Sequence, residues 1–193
     1  MNILVYSGSF NPLHIGHAML CSWVSQYCPE IDELWLTVTP QNPLKEKASE
    51  VTDANRLEAV GLLSRTIPGV SVCDFEFSLP KPTYTYATLR AMAHKWPWYT
   101  FKLLIGSDNW LIFDKWKNYR QIIDEFGVYI YLRPGYSVDN ETLPPSVKLL
   151  EGAPQTDISS TFIRNGFRRG DDMRYFLPEP VYNYIKENNL YGK

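Results

Sequence analysis

The sequence predicts an α/β fold in which a parallel sheet is covered by helices on both faces. Three observations predict it. Short apolar runs alternate along the chain with segments of helical periodicity. The first run, Ile3 to Tyr6, breaks into small residues and then opens a helix-like segment, Ala18 to Val24. The 193 residues, 45% hydrophobic and 21% charged, suit one domain with a sizeable core, and no internal repeat or low-complexity tract interrupts them.

The elements follow in order. Strands are expected at Ile3–Tyr6, Leu34–Val38, Val70–Phe75, Phe101–Ile105 and Gly127–Leu132, with a short sixth at Val147–Leu150. Helices are expected from Ala18, over Asp53–Ser64, Tyr86–Lys95 and Asn118–Glu125, and at Ser159–Arg164 and Pro180–Asn188. In the second of these, Leu57, Val60 and Leu63 recur at helical spacing, and Thr52 or Asp53 supplies the cap. The Pro-, Gly- and Ser-rich stretch Pro134–Pro145 reads as a surface loop, not a domain linker. Such sheets bind ligands beyond the C-terminal ends of their strands, where the strand order reverses. Functional residues are therefore expected directly after strands.

Composition narrows the class. A net charge of −2 leaves no electrostatic footprint for nucleic acid or an anionic membrane. The opening apolar run is too short and lacks the basic flank of a signal peptide, and no apolar stretch is long enough to span a bilayer. Cys21, Cys28 and Cys73 are an odd count without Cys-x-x-Cys spacing. They read as buried thiols in a reducing compartment, which implies a cytoplasmic protein. The sequence assigns no oligomeric state.

The most informative stretch is Ser7-Gly8-Ser9-Phe10-Asn11-Pro12-Leu13-His14-Ile15-Gly16-His17. A strand that breaks into small residues and opens a helix offers unpaired N–H groups and the positive end of a helix dipole, both suited to phosphate. His14 and His17, three residues apart at that mouth, can turn both imidazoles into one pocket. The stretch resembles the signature of the HIGH-superfamily nucleotidyltransferases, which include small adenylyltransferases, cytidylyltransferases and class I aminoacyl-tRNA synthetases. The four letters from His14 to His17 match literally, and the match extends to Gly8, Phe10 and Pro12. The resemblance implies a Rossmann-like doubly wound parallel sheet in one nucleotidyltransferase domain over residues 1–193. It also implies Gly8, Ser9, Phe10, His14 and His17 around ATP, with Ser7 toward a second substrate.

Further segments are similar to the nicotinate mononucleotide adenylyltransferases within that superfamily. Thr83-Tyr84-Thr85-Tyr86-Ala87-Thr88-Leu89 is similar to a Ser-Tyr-Thr-x-x-Thr-Leu segment that holds the mononucleotide. This points to Thr83, Tyr84 and Thr85, with Thr85 also suited to capping the helix. Ile105-Gly106-Ser107-Asp108, then Phe113, Trp116 and Tyr119, resemble an Ile-Gly-x-Asp…Phe-x-x-Trp-x-x-Tyr pattern. On the ATP side, Gly106 would let the ligand approach the backbone and Asp108 would accept from a ribose hydroxyl, while on the mononucleotide side Trp116 would stack on a pyridinium ring. The alternative for Trp116 is partly exposed packing. Tyr119 belongs to the same mononucleotide side.

After the second strand, Lys45 is read near the ATP phosphates or as a solvated lysine, and Arg56 as a family arginine or a surface one. Arg133, in Arg133-Pro134-Gly135-Tyr136, either meets the mononucleotide phosphate or anchors its loop. Asp157-Ile158-Ser159-Ser160-Thr161-Phe162-Ile163-Arg164 resembles the Ile-Ser-Ser-Thr-x-Ile-Arg signature of adenylyltransferases. It assigns Ile158, Ser159, Ser160, Thr161 and Arg164 to ATP, with hydroxyls, free N–H groups and a guanidinium fork for phosphate oxygens.

The implied reaction is adenylyl transfer from ATP to nicotinate mononucleotide, with His14, His17 and Arg164 as the catalytic groups. Mg²⁺ would accompany ATP, ligated by substrate and water and not by a protein cage. Two other readings compete. A sister enzyme acting on phosphopantetheine usually has a threonine where this chain has His14, and it lacks the Thr83 and Trp116 segments. A non-catalytic nucleotide sensor would be favoured by a lost histidine or a lost Arg164, and neither is lost. The departures from the family pattern are Ser7 for Gly, Asn11 for Asp and Leu44 for His.

Overall fold

The structure is a computed structural model, and it describes residues 1–40 and 51–192. Six strands form one parallel sheet: β1 (Asn2–Gly8), β2 (Glu33–Val38), β3 (Val70–Cys73), β4 (Thr100–Gly106), β5 (Val128–Tyr131) and β6 (Val147–Leu149). Their order is β3-β2-β1-β4-β5-β6. The chain winds outward from β1 in one direction, returns, and winds outward in the other, so the order reverses between β1 and β4.

Alternate residues of the strands feed two separate cores. Leu4, Tyr6, Leu34, Leu36, Val38, Leu104 and Tyr129 point to one layer. There they meet α1 (Ile15–Tyr27), α2 (Asp53–Ser64), α6 (Ser160–Arg169) and α7 (Glu179–Glu187). Ile3, Val5, Phe101, Leu103, Ile105, Val128 and Ile130 point to the other. That layer holds α3 (Thr85–Lys95) and α5 (Tyr119–Glu125), with the single turn α4 (Ser107–Trp110) following β4. A central strand buried on both faces has no polar face to show, which is why β1 reads as an unbroken apolar run.

The expected elements are present, with boundary differences that have local causes. The third strand stops at Cys73, because a 3₁₀ turn, Phe75–Ser78, takes over the apolar letters that follow. Asn118 sits in the left-handed region (φ 62°), so α5 starts one residue after the predicted position. The Ser-rich helix runs past Arg164 to Arg169 and ends on Gly170 in the left-handed conformation. Thr52, not Asp53, caps α2, its hydroxyl accepting from the Asn55 N–H. The Pro134–Pro145 stretch carries one 3₁₀ turn, Asn140–Thr142. Its Arg133-Pro134-Gly135-Tyr136 letters form a tight turn, with the Tyr136 N–H bonded to the Arg133 carbonyl and Gly135 at φ 82°.

Gly127 sets the entry to β5. It lies at φ 76°, and a Cβ there would sit 2.7 Å from the Ser146 carbonyl oxygen. Gly127→Ala combines a left-handed alanine with a backbone clash, so it should lower unfolding free energy by roughly 2 kcal/mol or more in urea denaturation.

Candidate active site

The ends of β1 and β4 flank the point where the strand order reverses, and both are glycines, Gly8 and Gly106. Ser7 closes β1 with Gly8, and Ser9 and Phe10 lie in the turn that follows. Phe10 is 3% exposed and packs edge-on against Tyr6 and His17, with its ring over Gly8. The turn is fastened from below by Arg56, which donates to the Ser9 carbonyl at 2.6 Å and pairs with Asp53. Arg56 is 3% exposed, so it is neither a surface residue nor free to meet phosphate.

His14 occupies the cap position of α1, and His17 lies in its first turn. Their rings are 3.8 Å apart, and both line one cleft with Tyr6, Tyr131, Arg133 and Thr156. The His14 N–H donates to His17 Nδ1 at 3.1 Å. An Nδ1 that accepts carries no hydrogen, so neutral His17 holds its hydrogen on Nε2 as a donor. Burial, then the charge of Arg133, lowers the His14 pKa from 6.5 to about 4. Burial also holds His17 well below its ordinary value, helped by His14 and Arg133. Both imidazoles are neutral donors at pH 7.

Among the described residues, Arg133 is the cation lining this cleft. Its Nη1 donates to Asp108 Oδ2 at 3.0 Å, and its N–H donates to the Ser107 hydroxyl at 2.9 Å. It lies with the histidines, where the sequence reading had put it with the mononucleotide. A Cβ on Gly106 would come within 2.4 Å of Asp108 Oδ1 and 2.9 Å of Arg133 Cδ. The space beside Gly106 therefore belongs to the Asp108–Arg133 pair, not to a ligand approaching the backbone. Asp108 Oδ1 is buried without a partner among the described residues.

The start of α6 abuts the turn after β1. Arg164 Nη1 donates to the Asn11 carbonyl at 2.7 Å, and the Ser160 hydroxyl donates to the Pro12 carbonyl at 2.9 Å. The Ser159 hydroxyl accepts from the Phe162 N–H, and Thr161 Oγ1 from Arg164 Nη2. Ile158 donates its N–H to Thr156 Oγ1. The Ser160 hydroxyl thus spends its hydrogen within the protein, while Ser159 and Thr161 only accept in these bonds and keep a hydroxyl hydrogen to donate. The helix N-terminus adds its first N–H groups, which have no intrahelical partner. Tyr191, missed by sequence reasoning, adds a bond from its hydroxyl to Asn11 Oδ1 at 2.6 Å.

On the opposite side of the reversal point, Thr83, Tyr84 and Thr85 lead into α3. Tyr84 is the cap residue and no side chain caps the helix, so Thr85 does not have the capping role its position suggested. Lys117 Nζ lies 4.4 Å from the centre of the Tyr84 ring, which brings the Trp116 loop against this segment. Trp116 is half-buried and 5.1 Å from the Phe113 ring, and Tyr119 packs on Phe113 and accepts from Arg120. Lys45 and Leu44 lie outside the described residues.

With this geometry in place, comparison with known proteins decides the family. The cytidylyltransferase-like family model matches residues 5–166. The chain belongs to the cytidylyltransferase-like family. Within it, a probable nicotinate-nucleotide adenylyltransferase of Bacteroides fragilis is 45% identical over 181 residues, 94% of this chain and 89% of that protein. A probable nicotinate-nucleotide adenylyltransferase of Flavobacterium johnsoniae is 37% identical over 195 residues, the full length of both. The nicotinic acid mononucleotide adenylyltransferase of Plasmodium falciparum, solved with NaAD, superposes with a TM-score of 0.79 at 22% identity, covering 98% of this chain and 97% of that one. The last likeness establishes the Rossmann-like nucleotidyltransferase fold.

The buried neutral His14 ties stability to pH. Its pKa is 6.5 in a free chain and about 4 when folded, so below pH 6.5 the unfolded chain takes up the proton first. Stability is complete above pH 6.5 and falls through the window down to pH 4, by about 3 kcal/mol in total from this group. His14→Gln should flatten the decline measured by urea denaturation between pH 7 and pH 4.5.

Proposed function

We propose that the chain transfers the adenylyl group of ATP to nicotinate mononucleotide, giving nicotinate adenine dinucleotide and pyrophosphate. The observation that carries this reading is the convergence of two helix N-termini, α1 and α6, and a neutral histidine pair on one cleft at the sheet reversal. The full-length relatives named as nicotinate-nucleotide adenylyltransferases support it.

In the proposed step, a phosphate oxygen of the mononucleotide attacks the α-phosphorus of ATP. The bond from that phosphorus to the bridging oxygen of the β-phosphate breaks, and pyrophosphate leaves. Such displacement needs positioning and charge stabilisation more than a protein nucleophile. His17 Nε2–H and the His14 imidazole donate to the oxygens where charge accumulates. Arg164 and the N-terminus of α6, with Ser159, Ser160 and Thr161, hold the β- and γ-phosphates through N–H groups and the hydroxyl hydrogens of Ser159 and Thr161, and Ile158 lies beside them. Arg133, held by Asp108, contributes fixed positive charge to the cleft. Ser7, Thr83, Tyr84, Thr85, Trp116 and Tyr119 receive the mononucleotide, while Gly8, Ser9 and the Phe10 backbone face ATP.

Mg²⁺ enters with ATP as part of the substrate and neutralises triphosphate charge. The cleft's own donors, imidazole N–H groups and a guanidinium, suit phosphate oxygens and not a cation, so phosphate oxygens and water would carry the metal. We place the reaction in the cytoplasm, as one domain spanning residues 1–193. No helix among the described residues is long and apolar enough to cross a membrane, and Cys21, Cys28 and Cys73 are free thiols.

The test is pyrophosphate release from ATP and Mg²⁺ with nicotinate mononucleotide, nicotinamide mononucleotide or phosphopantetheine. Turnover is expected with the first, and no release with either pyridine mononucleotide would overturn the reading. His17→Ala should cut kcat by about two orders of magnitude or more while the chain still folds, as judged by circular dichroism. Trp116→Ala should raise KM for the mononucleotide roughly tenfold. A change confined to KM for ATP would contradict the stacking role.

A further inference from the structure

Two tyrosines that the adenylyl-transfer step above leaves without a role meet at the histidine cleft. Tyr6 lies in β1, and Tyr131 ends β5. β4 runs between these strands, and at the level of Tyr131 it carries Gly106. With no side chain in the way, the two rings approach each other edge to face, 5.8 Å apart. A Cβ on Gly106 would sit 3.2 Å from Tyr131 Cζ, the carbon that bears the hydroxyl. The two hydroxyl oxygens are 2.9 Å apart. Among the described residues, this is the one hydrogen bond that either hydroxyl makes.

The pair has two hydrogens and one bond between them. Burial raises the pKa of both phenols, so both keep their hydrogens at pH 7. If Tyr131 donated to Tyr6, the Tyr6 hydrogen would be stranded in the core, where that residue is 7% exposed and has no other acceptor among the described residues. A buried donor left without an acceptor is costly. If Tyr6 donates to Tyr131, the cost vanishes. The Tyr6 hydrogen is then spent, and the Tyr131 hydrogen is left over. Tyr131 is half-buried and lines the cleft with His14, His17 and Arg133, so that hydrogen lies where a ligand can accept it.

We propose that Tyr131 is a further ATP-binding residue: its hydroxyl, oriented by the buried donor Tyr6, gives its hydrogen to an acceptor atom of the nucleotide held in the histidine cleft. The inference rests on the reading that this cleft receives ATP. Tyr131 becomes a third neutral donor beside the two imidazoles, held by β5 where they stand at the start of α1. Tyr6 touches no substrate and is a positioning residue, acting through the oxygen of Tyr131.

The experiment is calorimetric titration of the full chain with MgATP, followed by steady-state kinetics with each substrate varied in turn. The parent chain should bind MgATP. Tyr131→Phe keeps the ring and loses the hydroxyl. It should weaken MgATP binding about tenfold, raise KM for ATP by a similar factor and leave KM for nicotinate mononucleotide within about twofold. Tyr6→Phe leaves the Tyr131 hydroxyl in place but undirected, and should weaken MgATP binding roughly two- to fourfold. The double variant should bind MgATP as Tyr131→Phe does, because Tyr6 acts only through Tyr131. Each exchange removes a single oxygen from a packed ring, and circular dichroism checks that each variant folds. Four results overturn the inference while the ATP reading stands: unchanged MgATP binding in Tyr131→Phe, equal rises in both KM values, unchanged or tighter MgATP binding in Tyr6→Phe, or effects of the two exchanges that add in the double variant. Failure of the parent chain to bind MgATP overturns that reading first, and this inference with it.

Discussion

The fastening of α6 to the turn after β1 is the constraint on which the site depends. Arg164 reaches the Asn11 carbonyl and Ser160 the Pro12 carbonyl, across about three-quarters of the chain. These bonds bring the N-terminus of α6 to the mouth of α1, which Arg56 steadies from the other side through the Ser9 carbonyl. Neither helix alone offers more than a few N–H groups. Side by side, they frame one region of positive potential at the edge of the sheet.

Within that frame the charges are separated by role. His14 and His17 are neutral because burial and Arg133 disfavour their protonated forms. Arg133 is a permanently charged guanidinium, and Asp108 pairs with it at 3.0 Å. Among the described residues the cleft therefore holds one fixed cation and two neutral N–H donors, not three competing cations. A phosphate group entering it meets donors already oriented by the backbone, His17 through the His14 N–H in particular. Little reorganisation is left for the moment of reaction.

What was legible in the sequence was local or periodic. The parallel sheet covered on both faces followed from alternation, and the caps at Thr52 and Ser159 follow from residues within four positions of each helix start. The Arg133-Pro134-Gly135-Tyr136 letters encode their own turn. Contacts between distant segments were not legible. The sequence shows a fork at Arg164, but not that one of its arms holds the Asn11 carbonyl. It shows Gly106 after a strand, but not that Asp108 and Arg133 fill the space its missing side chain leaves.

The bond from Tyr191 to Asn11 carries a consequence for how the molecule is made. Synthesis proceeds from β1 outward, so the sheet can assemble while the closing segments are still within the ribosome. The turn after β1, however, is held by partners at Ser160, Arg164 and Tyr191, all translated later than every strand. A nascent chain that has released all six strands still lacks α6 and α7, and with them part of one core layer as well as its binding mouth. The turn after β1, made before the other elements described, is thus the last to be completed.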